Sequence, residues 1–193
     1  MSFKTKTTTK LFFDKYSYKI VVVTKDSYMF RYQNDDGKYG IKENGKRYSY
    51  NQKIMKYLDS LDDYEIRVES PLVSFYTNNK KDLDFIANID TSAVKYISIP
   101  NANNNLQEGV IILPKINHEF KVTLGSTKQQ YDAFVGWAEG NSKVSLTKRC
   151  KEDLLRNSSW GGVYFYITGE KNLLMAKMHL GSVINRIDRI VKS

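Results

Sequence analysis

Gly161 to Lys192 reads GGVYFYITGEKNLLMAKMHLGSVINRIDRIVK, and this stretch decides the fold because Pro71 to Asn101 repeats it at a constant offset of 90 residues. Val73 matches Val163, Phe75 matches Phe165, Tyr76 matches Tyr166, Lys81 matches Lys171, Leu83 matches Leu173, Ser92 matches Ser182 and Ile97 matches Ile187. Both copies run in one order: an alternating apolar strand, a polar turn, an amphipathic helix and a second strand. That is the signature of a duplicated unit.

Upstream of each copy the pattern predicts a further strand, helix and strand. In the first unit, residues 15–101, Tyr18 to Val23 is β-branched and strand-like, and Asn51 can cap a helix with Ile54, Tyr57, Leu58 and Leu61 on one stripe. Strands at 64–69 and 72–77, a helix at 80–89 and a strand at 94–99 follow. In the second unit, residues 118–193, strands are predicted at 120–124, 143–147, 163–167 and 185–192, and helices at 128–138 and 170–180, with a short helix inserted at 151–156. The expectation is an α+β chain of two tandem ferredoxin-like βαββαβ units, each an antiparallel sheet with two helices on one face.

Three segments lie outside that repeat. Residues 1–14 read as a flexible basic tail. Residues 25–50 hold the aromatic runs Tyr28 to Tyr32 and Arg47 to Tyr50 around Asp36-Gly37 and Asn44-Gly45, which predict a β-hairpin insertion. That insertion either stacks bases while Lys38, Lys42, Lys46 and Arg47 meet phosphates, or packs its aromatics against the sheet edge. Residues 102–117 read as a linker carrying a short strand at 110–113.

The 193 residues carry a formal charge of +9, distributed unevenly. Residues 1–53 hold 12 Lys and Arg against 5 Asp and Glu, residues 54–140 hold 8 against 12, and residues 141–193 hold 10 against 4. Two basic ends flank an acidic middle, which points to a polyanion or to a solubilising surface. No apolar run is long enough to span a membrane, and the first ten residues lack the apolar core of a secretory signal, so a cytoplasmic site without a membrane partner is expected. In a viral chain that is the host cytoplasm. The single Cys150 has no disulfide partner within the chain.

Catalytic and cofactor chemistry finds few candidates. His118 and His179 are the two histidines, and HExxH, CxxC, the phosphate loop GxxxxGK[ST] and the serine elbow are all missing. No catalytic residue, metal ligand or cofactor is therefore assigned. The open sheet faces are richer. If the aliphatic residues pack on the helices, strand alternation turns Lys19, Arg67, Tyr76 and Tyr96 outward in the first unit and Lys121, Lys143, Tyr164 and Tyr166 outward in the second. Lys148, Arg149 and Lys151, with Arg156 and Trp160 close in sequence, form a second cluster suited to a single strand or to a solvated helix face.

The tyrosine and cation faces resemble the RNA-recognition motif, whose third-strand aromatics stack bases. The tandem order is similar to that of the repeat-associated RNA endonucleases of bacterial immunity. Asn157 to Trp160, Val163 to Tyr166, Leu173 to Met178 and Arg186-Ile187 resemble the C-terminal portion of small accessory proteins of tailed bacteriophages, which implies a viral origin. The expected function is non-enzymatic binding of single-stranded DNA or RNA. The alternatives are a protein-binding accessory or inhibitor docking on a host or viral complex, and a metal-independent ribonuclease using His118 or a Tyr and Lys pair.

Overall fold

A computed structural model describes residues 3–31, 49–101 and 106–192 of the chain. The centre of the expected hairpin insertion, with Lys38, Lys42, Lys46, Arg47 and both of its Gly-containing turns, lies outside the described residues. The chain forms two compact units, Met1–Glu108 and Gly109–Ser193. It is a mixed α+β protein with two five-stranded sheets and, among the described residues, five α-helices.

The first unit contains β1 (Lys4–Thr8), β2 (Tyr18–Val23), α1 (Ser49–Leu58), β3 (Glu65–Glu69), β4 (Leu72–Thr77), α2 (Lys80–Ile89) and β5 (Val94–Pro100). The sheet order is β1-β5-β2-β4-β3. β2 is antiparallel to both of its neighbours, β3 and β4 pair as a hairpin, and β1 runs parallel to β5. Alternation sends Ile20, Val22, Val73, Phe75 and Ile97 to one face, where they meet Ile54 and Leu58 of α1 and Leu83 and Ile86 of α2. Burying each such side chain contributes on the order of 1.5–3 kcal/mol. Asn79 caps α2 by accepting from the Lys81 amide at 3.1 Å. The buried carboxylate of Asp82 accepts from the hydroxyls of Thr77 at 2.6 Å and Tyr57 at 2.9 Å, tying β4, α1 and α2 together.

The second unit contains β6 (Val110–Ile112), β7 (Phe120–Leu124), α3 (Asp132–Glu139), β8 (Val144–Leu146), α4 (Lys148–Leu154), β9 (Tyr164–Ile167), α5 (Glu170–Leu180) and β10 (Ile184–Val191). Its sheet order, β6-β10-β7-β9-β8, matches the first position by position, including a leading strand parallel to the last. Phe120, Val122, Leu124, Phe165 and Ile167 pack with Phe134 and Val135 of α3 and Leu173 and Ala176 of α5. α4 adds Cys150 and Leu154 to that core.

Several expectations are corrected. The N-terminal segment expected as a flexible tail contains β1, held by the parallel register Lys4↔Tyr96 to Thr8↔Pro100. Backbone pairing places it, so its polar side chains carry no alternating signal. The short strand assigned to a linker is a member of the second sheet through Arg189↔Val110 to Val191↔Ile112. β10 therefore lies between β6 and β7. Ser27–Arg31, expected as part of a hairpin, is a 3-10 turn whose Phe30 is buried edge-on against Phe75 at 5.3 Å. α3 starts four residues later than expected, because Thr127 bridges Ser159 and the Tyr131 amide donates to the Leu154 carbonyl at 2.8 Å. α4 starts three residues earlier, at a Thr147 cap that accepts from the Cys150 amide.

Candidate nucleic-acid interface

The sheet face of the second unit opposite α3 and α5 carries two cross-strand rows. Lys121 pairs with Tyr166 on one side and Asp188 on the other, and Thr123 pairs with Tyr164 and Arg186. The Lys121 ammonium sits 4.1 Å from the centroid of the Tyr164 ring, a cation held over a π-face. Tyr164 and Tyr166 meet edge to face at 5.5 Å. His118 lies nearly parallel to Tyr166, with centroids 6.0 Å apart, and its Nδ1 is 3.0 Å from the Thr168 hydroxyl. Both tyrosines are half-buried. Burial pushes the Tyr166 phenol above its ordinary pKa, and neighbouring Tyr164 adds to the shift, so the ring is neutral at physiological pH. A neutral phenol can stack and donate a hydrogen bond but is a poor base.

At the β10 end of these rows the Arg186 Nε donates to the Asp188 carboxylate at 2.6 Å, with Asp188 fully buried. The strand period in INRIDRIV puts both residues on the face of Lys121, a signal the sequence carries although neither is among the residues expected outward. His118 is likewise absent from the residues expected outward, because it lies two residues ahead of β7, outside the strand period. Lys143 is exposed just before β8 and belongs to neither row.

The matching face of the first unit is arranged differently. Lys19 pairs with Tyr76, as Lys121 does with Tyr166. Tyr76, however, is only 4% exposed. Phe12 lies 5.4 Å and Phe13 4.8 Å from its ring, and Lys19 stands 5.3 Å from Tyr76 and 5.6 Å from Tyr96. A turn fixes the two phenylalanines: Phe12 bridges Tyr16, whose hydroxyl donates to Asp63 at 2.9 Å, and Lys15 pairs with the same carboxylate. Tyr76 is thus removed from the set of accessible stacking residues. Arg67 is exposed but pairs with Glu69 at 2.7 Å.

The second predicted cluster is brought together in part. The Thr147 hydroxyl donates to the Tyr164 carbonyl at 2.9 Å, which joins the start of α4 to the tyrosine strand. Lys148 and Arg149 follow it and are exposed, whereas Lys151 turns to an ion pair with Glu139. Arg149, Arg156 and Trp160 line one open cleft of about 370 Å³ with Glu152, Asp153 and Ser159. Arg156 lies 3.5 Å from Asp153, and Trp160 is 100% exposed. Among the described residues no group of three or more His, Cys, Asp or Glu is placed to hold a metal ion, and no helix is long and apolar enough to cross a membrane.

Compared with protein-family models, with curated proteins and with solved structures, the chain matches none.

Proposed function

We propose that this protein binds single-stranded DNA or RNA without cleaving it, through the sheet face and the α4 cluster of its second unit. The observation that carries this reading is the Lys121, Tyr164, Tyr166 and His118 ladder, in which a cation and three stackable rings share one partly open sheet face. Stacking is open to every base, and Lys121, Lys148 and Arg149 supply the charge that a backbone requires. A duplex buries its base faces and cannot use such rings. We further infer that each unit is a ferredoxin-like fold with an added parallel edge strand. The orders β5-β2-β4-β3 and β10-β7-β9-β8 support this, since each is last, first, third, second in its βαββαβ unit.

The test is fluorescence anisotropy with labelled single-stranded DNA, single-stranded RNA and duplex at two salt concentrations. If Lys121, Lys148, Arg149 and Arg156 each neutralise one phosphate, the logarithmic slope with salt is roughly −3, and a fourfold rise in salt weakens binding by about fiftyfold. Weak, salt-insensitive binding to all three would overturn the proposal. A second reading, docking on a protein complex, draws on α5, where Leu174 and Met178 stand one turn apart at 58% and 73% exposure.

A further inference from the structure

An indole left wholly in water forgoes the burial that a large aromatic ring normally gains, and beside a polar cleft on a held turn it offers a face on which a base can stack. Trp160 is such a residue. Ser159 before it exchanges backbone hydrogen bonds with Thr127 at 2.9 and 3.0 Å, and its hydroxyl donates to Asp153 at 2.8 Å and accepts from the Gly161 amide at 3.1 Å. Gly161 after it is pressed against the Gly125 backbone, where an added Cβ would fall 2.3 Å from the carbonyl carbon. The ring is presented on a fixed turn.

The cleft beside it has a definite charge pattern. Arg149, Glu152, Asp153 and Arg156 recur at helical spacing along one stripe of α4 and its C-terminal end, while Cys150 and Leu154 hold the other stripe in the core. Asp153 is occupied by Arg156 and Ser159. Arg149 and Glu152 have no ion-pair partner among the described residues. The four charges sum to zero, so this cleft draws a phosphate backbone less strongly than a purely basic surface would. A balanced site with an aromatic shelf is suited to reading a base edge, which is where sequence preference originates.

Taking the single-strand reading as given, we propose that this cleft reads one guanine of the bound strand. The base stacks on Trp160, the Glu152 carboxylate accepts from the adjacent N1–H and N2–H donors, and Arg149 meets the neighbouring phosphate. Guanine alone among the common bases offers two neighbouring donors on its pairing edge to a bidentate carboxylate. Adenine and cytosine set an acceptor beside their amino group, and thymine and uracil flank a single donor with carbonyls. A cleft of about 370 Å³ lies at the small end of ligand sites and suits one nucleotide.

The test uses the full chain and labelled thymidine octamers with guanine, adenine or cytosine at one central position. The guanine octamer should bind about tenfold more tightly than the others, within the range of a good bidentate base contact. Glu152→Gln should abolish that preference while the all-thymidine octamer binds as tightly as before or more tightly, since the cleft's charge rises from zero to +1, and Trp160→Ala should also remove the preference, with circular dichroism confirming the fold of both variants. Equal binding of all octamers by the wild type overturns the guanine site and leaves the single-strand reading standing. A guanine preference that survives Glu152→Gln overturns the role of that carboxylate. Failure of every octamer to bind overturns both.

Discussion

Phe13 stands edge-on to Tyr76, their ring centroids 4.8 Å apart and their planes at 87°. The cross-strand pair Lys19 with Tyr76 has its counterpart in Lys121 with Tyr166, yet only in the first unit does the chain lay its own phenylalanines on the tyrosine. The two sheets thus use corresponding faces in two ways, the first filled from within and the second left partly open.

The filling of the first face has a consequence for stability. Replacing Phe12 and Phe13 together by Ala removes two aromatic contacts, and each such pair contributes about 0.5–1.5 kcal/mol beyond its buried area. The urea midpoint of the double variant should fall with little change in the slope of the transition. An unchanged midpoint would mean that the turn adds nothing to the first unit.

The Gly161-Gly162 pair allows a paired comparison. Both residues have positive φ, +76° and +77°, which costs a residue with a Cβ roughly 1–2 kcal/mol. Gly162 has open space around the added carbon, whereas Gly161 would meet Gly125 backbone at 2.3 Å. Gly162→Ala should lower stability by about that conformational cost. Gly161→Ala should lower it further and also displace Trp160, visible as a shift of its fluorescence. Equal effects of the two substitutions would show that the loop moves freely off Gly125.

The buried thiol of Cys150 provides a pH test. Burial pushes it up from 9.0 to about 12, and burial together with a hydrogen bond to Asp82 raises Tyr57 from 10.0 to about 12. Each group holds its proton more tightly in the folded state than in the unfolded chain. Their contribution is therefore complete below about pH 9 and is lost as pH rises toward 12. Urea midpoints should be level from neutral pH to about pH 9 and then decline. Cys150 should resist a thiol reagent in the native protein and react in urea; ready native labelling would contradict its burial.

Much of the framework was legible in the sequence for a physical reason. Tyr18 to Val23, Leu72 to Thr77 and Phe120 to Leu124 form strands at the bounds that their alternation and flanking polar residues suggest, and Lys80 to Ile89 and Glu170 to Leu180 form the expected helices. In these segments the side chains themselves record which face is buried. β1 carries no such record, because KTKTT is polar on both sides and only its backbone pairing with β5 makes it a strand. The site was legible to the same extent. Strand period put Lys121, Tyr164 and Tyr166 on one face, but nothing local to Tyr76 indicates that Phe12 and Phe13, more than 60 residues earlier, will cover it.

The most direct test of the central claim is a titration of one labelled single strand against the wild type, Tyr164→Ala/Tyr166→Ala and Tyr76→Ala, with each variant shown to be folded. Losing the second-unit tyrosines should weaken binding by on the order of 1–3 kcal/mol per stacked base, while Tyr76→Ala should lower stability and leave affinity unchanged. Full affinity in the folded double variant, or a loss of affinity confined to Tyr76→Ala, would contradict the assignment of the interface to the second unit.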